Sequence, residues 1–82
     1  MNKEKATQII KQMSNVCGID LKVSSLMLMP PNAEGIASSG DQLHVKAELD
    51  FGSRTCLYAV MDEHQLKFKE KPDKIVIYSH RI

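Results

Sequence analysis

Residues 42–64, "QLHVKAELDFGSRTCLYAVMDEH", decide how this chain is read. Leu43, Val45, Ala47, Leu49 and Phe51 alternate with His44, Lys46, Glu48 and Asp50. Period-two alternation is the mark of a half-buried strand, here spanning about 42–51. Gly52 and Ser53 follow as a turn, where glycine supplies permissive dihedrals. "RTCLYAVM" then reads as a second strand over about 54–61, turned around by "DEH". In that reading Leu57, Ala59 and Met61 point one way, and Cys56, Tyr58 and Val60 the other.

Working outward, "QLKFKE" predicts a strand over about 65–69, with Leu66 and Phe68 inward. "KPDK" turns the chain, and "KIVIYSH" predicts a last strand over about 74–80. On the other side, "IDLKVSSLMLM" predicts a strand over about 20–29 that ends at Pro30-Pro31, since proline cannot donate to a sheet ladder. Residues 3–17 predict a helix. Ala6, Ile9, Ile10, Met13 and Val16 or Cys17 recur at helical steps, Asn2 suits the N-cap, and Gly18 suits the C-terminal end. Short turns imply antiparallel neighbours. The expected fold is a single α+β domain, with an N-terminal helix on one face of a four- to five-stranded antiparallel meander.

The chain has 82 residues, of which 43% are hydrophobic and 26% charged, with a net charge of +1. These values suit one small globular domain and supply no global field for nucleic acid or an anionic membrane. No apolar run approaches the ~20 residues that span a bilayer, and the N-terminal stretch lacks an apolar signal-peptide core. Two cysteines are few for a secreted domain of this size. Cys17 and Cys56 are therefore expected as free thiols in a reducing compartment, with the cytoplasm as the location.

The chemical motifs are weak. Gly35 and Gly40 in "EGIASSGDQ" have the spacing of a phosphate-binding loop. Asp41 and Gln42 follow where Lys and Ser or Thr are needed, and a strand follows where a helix is needed. The 30–41 segment is read instead as a flexible connection or contact loop. "DFG" at 50–52 lacks the other kinase motifs and is explained by a turn. Cys17, His44, Cys56, His64 and His80 show no metal-ligand spacing. Glu48, Asp50, His44 and Lys46 share a strand face, which is the ordinary solvated face of an antiparallel sheet. No catalytic residue, metal ligand or cofactor is expected.

Two sequence features point to partners. The strands 54–61 and 74–80, and "LMLM" at 26–29, are apolar on both faces, whereas one helix covers only one face of a sheet. The exposed remainder predicts an interaction surface centred on Tyr58, Val60, Val76 and Tyr78, with Leu26, Leu28 and Ile36 as secondary contacts. The expected function is a non-enzymatic protein-binding module (regulator, adaptor or inhibitor) that acts sterically on another protein, on a second copy of itself, or on both. The alternative is a nucleic-acid binder using Lys67, Lys69, Lys71, Lys74 and Arg81, with Tyr78 as a stacking platform. Glu70 and Asp73 interrupt that cluster, and lysines on a late strand also guard a sheet edge.

Overall fold

The structure, a computed structural model, describes residues 2–21 and 26–79. The first helix, α1, spans Lys3–Cys17. The Asn2 side chain accepts the Lys5 backbone N–H at 2.8 Å, satisfying one of the donors that a helix start leaves open. Gly18 ends the helix at φ 66°, and the next N–H, of Ile19, returns to the Met13 carbonyl at 3.2 Å. That reversal folds Ile19 into the core.

Four strands follow: β1 Met27–Met29, β2 Gln42–Val45, β3 Lys67–Glu70 and β4 Ile75–Tyr78. They form one sheet in the order β1-β2-β4-β3, with every neighbouring pair antiparallel. The α+β class, the N-terminal helix and the antiparallel sheet are as expected. The strand at 54–61 is not. Phe51–Glu63 is a second helix, α2.

The reason is local. The Asp50 carboxylate accepts the Ser53 N–H at 2.7 Å and starts a helix where a turn was expected. Leu57, Val60 and Met61 then fall at three- and four-residue steps and are the buried residues of α2. An apolar run this short fits either period, and its flanks decide between them. Strand β2 accordingly stops at Val45, and residues 46–49 leave the ladder before the Asp50 cap. Of the expected 20–29 strand, residues 27–29 pair, and 22–25 lie outside the described residues. The last strand pairs over 75–78, and residue 80 is also outside them.

Replacing a strand by α2 changes the topology from a meander. β2 and β3 run in the same direction with β4 inserted between them, so β2-α2-β3 is a split crossover. Both helices lie on one face of the sheet. Ala6, Ile9, Ile10 and Met13 of α1 and Leu57, Val60 and Met61 of α2 pack with Leu43, Val45, Ile75 and Ile77 in the main core. The register puts Leu28, Leu43, Ile77 and Phe68 in one row across the sheet on this side.

The helices are also joined to each other. Cys17 and Cys56 form a disulfide, with Cα atoms 5.6 Å apart. This corrects the expectation of free thiols, which follows from the low cysteine count alone; the helical path of α2 is what carries Cys56 to Cys17. At the other end, His64 at the end of α2 sits between Lys5 and Gln12 of α1. Its Nδ1 accepts from the Lys5 ammonium at 2.9 Å, and its Nε2–H donates to Gln12 Oε1. The two cysteines are separated by 39 positions. Chain-entropy loss on closing such a loop is worth about 4 kcal/mol at 25 °C. Reduction, or Cys17→Ser with Cys56→Ser, is expected to lower unfolding free energy by about 2–4 kcal/mol in urea titrations, with the far-ultraviolet circular dichroism retained.

Candidate functional site

Two surfaces flank the core, one on α2 and one on the far side of the sheet. With Leu57, Val60 and Met61 turned inward, the opposite side of α2 carries Phe51, Thr55, Tyr58 and Ala59. Phe51 is 83% exposed and Tyr58 60% exposed. They lie two helical turns apart on the same side. The half-buried Phe68 of β3 meets Tyr58 with ring centroids 4.7 Å apart at an interplanar angle of 47°, which braces the tyrosine against the sheet edge.

Charges bound this aromatic strip. Arg54 donates through Nε and Nη2 to the two oxygens of Glu70, at 2.8 and 3.0 Å. The fork of hydrogen bonds holds the Glu70 carboxyl below its usual range and pushes the Arg54 guanidinium up. Beside Tyr58 lies a concavity of about 340 Å³, lined by Met61, Asp62, Leu66, Lys67, Phe68 and Tyr78 as well.

The far side of the sheet is covered by residues 30–41. Ile36 packs on Val76 and Tyr78, forming a second buried cluster. Ser38, Gln42 and His44 are buried beside it. The Gln42 amide donates to the Ile36 carbonyl at 2.8 Å and to Ser38 Oγ at 3.1 Å, and Gln42 Oε1 accepts from His44 Nε2 at 3.1 Å. Asn32 and Ser38 exchange hydrogen bonds, each backbone N–H reaching the other's side chain at 3.1 Å. Lys74 pairs with Glu34 at the rim. The loop is thus a polar-stitched cover. Its turns place Gly35 at φ 75° and Gly40 at φ 126°, and the Ser39 N–H bonds the Ser79 carbonyl at 2.9 Å.

These placements separate the residues singled out in the sequence. Tyr58 is exposed, but on a helix and not on a sheet face. Val60 is in the main core, on the opposite side of the sheet from Val76. Val76, Tyr78 and Ile36 bury one another, so no open apolar sheet face joins Tyr58, Val60, Val76 and Tyr78. Leu26 and Leu28 are half-buried against the main core. Lys67 and Lys69 are exposed on β3 and register with Tyr78 and Val76. Tyr78 does share their side, but it is only 7% exposed and cannot present its ring as a platform. Lys71 is half-buried, Lys74 is held by Glu34, and Arg81 lies outside the described residues. The exposed aromatic Phe51 escaped the sequence reading, which turned it inward at a strand end. Its signal was Asp50 followed three residues later by the capped Ser53 N–H.

No protein-family model matches this chain, and neither a curated protein nor a solved structure does. Among the described residues, no helix is long and apolar enough to cross a membrane.

Burial is the main cause that pushes the His44 imidazole below its ordinary value of 6.5, aided by Lys74 and Lys71 and opposed by Glu34. The unfolded chain therefore binds this proton more readily than the folded one, and stability falls as the pH drops below 6.5. Glu34, Asp50 and Glu70 are held low by hydrogen bonds from Lys74, Ser53 and Arg54, so their contribution is lost at more acid pH, through the carboxylate range. Thermal denaturation followed from pH 7.5 to 3 is expected to show both limbs. In His44→Gln, which keeps a donor for Gln42, the limb that begins near pH 6.5 is expected to flatten while the carboxylate limb remains.

Proposed function

We propose that this chain is a small, non-enzymatic protein-binding module whose contact surface is the outer side of α2. The single observation that carries this reading is the pair of exposed aromatics, Phe51 and Tyr58, on one side of one helix, braced by Phe68 and rimmed by Arg54 and Glu70. Interface energy concentrates in aromatic anchors surrounded by polar groups. The geometry also suits a ready-made contact. The disulfide fixes α2 to α1 and Leu57, Val60 and Met61 fix it to the sheet, so little ordering accompanies binding. A regulator, adaptor or inhibitor that occupies a partner's surface fits this design. Self-association through the same strip would be its twofold case. The expected cytoplasmic location rested on free thiols, and a bonded Cys17–Cys56 pair supports an oxidising compartment instead.

The test compares wild type with Tyr58→Ala, Phe51→Ser and Lys67→Glu/Lys69→Glu as baits, with nuclease and high-salt washes and the bait's own mass in solution. A stoichiometric protein partner, or a dimer, is expected to survive both washes. Tyr58→Ala should weaken that contact at least tenfold while lowering stability by about 1 kcal/mol or less, the scale of one aromatic pair at an exposed site. Binding abolished by salt and by the lysine reversals, yet untouched by Tyr58→Ala, would replace this reading with the nucleic-acid one.

A further inference from the structure

The far side of the sheet carries a feature the protein-binding reading does not use. Between β1 and the β3-β4 turn lies a groove of about 440 Å³, lined by Leu26, Met27, Met29, His44, Val45, Lys46 and Lys74. The volume falls in the ~300–1,000 Å³ range of small-molecule sites. Its lining has two parts. Leu26 and the two methionines form an apolar wall, and Met27 is 54% exposed in it. Methionine side chains adapt to irregular apolar ligands. Lys46 and Lys74 supply ammonium groups, and the lining contains no carboxylate among the described residues.

The charge balance sets the ligand's charge. Glu34 offsets Lys74, which leaves Lys46 as the lining cation without an ion pair among the described residues. The imidazole of His44 donates through Nε2 to Gln42, and its burial favours the neutral ring. One apolar wall with one such cation complements a monoanion with an alkyl tail. We propose that this groove binds a medium-chain aliphatic carboxylic acid, its carboxylate on Lys46 and its chain along Leu26, Met27 and Met29. The site lies on a different surface from the aromatic strip of α2, so its failure and the failure of the protein-binding reading are independent.

The probe is decanoate, titrated into the oxidised full chain carrying methyl-¹³C methionine. The Met27 and Met29 methyl signals are expected to shift saturably below the micelle-forming concentration. The buried Met13 and Met61 signals are the internal reference. Decanol and decyltrimethylammonium, with the same tail and no carboxylate, should bind at least tenfold more weakly. Lys46 is exposed, and Lys46→Gln should weaken decanoate about tenfold, the scale of one charge-assisted hydrogen bond. Met27→Asp, also at an exposed position, should abolish binding while circular dichroism stays unchanged. Equal binding of decanol, an unaffected Lys46→Gln, or the absence of any Met27 and Met29 shift would overturn the proposal. Broadening of these methyls by phosphatidylglycerol vesicles, without a response to free decanoate, would overturn it in favour of a membrane-surface contact.

Discussion

The hydrogen bond from the Ser53 N–H to the Asp50 carboxylate is where the chain changes from extended to helical, and the architecture depends on that change. With α2 begun at Phe51, Leu57, Val60 and Met61 reach the sheet as one stripe and Cys56 comes within bonding distance of Cys17. Were the chain to continue as a strand, β4 would lose its place beside β2, and α1 would be the sole cover of the main core. The cap itself is worth about 1 kcal/mol. Its influence comes from the packing it directs, since most helical stability in a protein comes from the buried face.

The two sides of the sheet are closed by different physics. On the helical side, aliphatic side chains from four elements fill the space, and the attraction is non-directional. On the far side, Val76 and Tyr78 sit under a loop that brings Ile36 onto them and whose position is set by directional bonds among Asn32, Ser38, Gln42 and His44. Buried polar groups are tolerable only when bonded, and every buried side-chain polar atom among the described residues has a partner. Such a cover specifies one loop conformation more than it adds stability.

Much of this was legible in the sequence, and the remainder was hidden for identifiable reasons. The α1 periodicity, the Asn2 cap and the Gly18 stop were local signals, and all three appear as read. Strand β4 was also legible, from β-branched residues between turn signals. α2 was hidden because "CLYAVM" is an unbroken apolar run, where two- and three-to-four-residue periods cannot be told apart. Read as a strand, that run leaves the sheet short of a covering element, and the alternation of residues 42–51 before it turns Phe51 inward. The polar cover was hidden for another reason. Ser38, Gln42 and His44 look solvated in a sequence, and their burial depends on partners brought together only by the fold.

The split crossover has a consequence for the order of assembly. β4 is the last described strand in the chain, yet it lies between β2 and β3 and hydrogen-bonds to both. Until Ile75–Tyr78 emerge from the ribosome, β2 and β3 have no ladder connecting them, and Leu43 and Val45 lack the Ile75 and Ile77 neighbours that complete the core. Helix α1 can form early from local contacts, but the sheet closes only through pairings distant in sequence. The apolar surface of β2 and the two helices therefore stays unfinished until β4 joins it, and closure of the sheet waits on the arrival of one short segment.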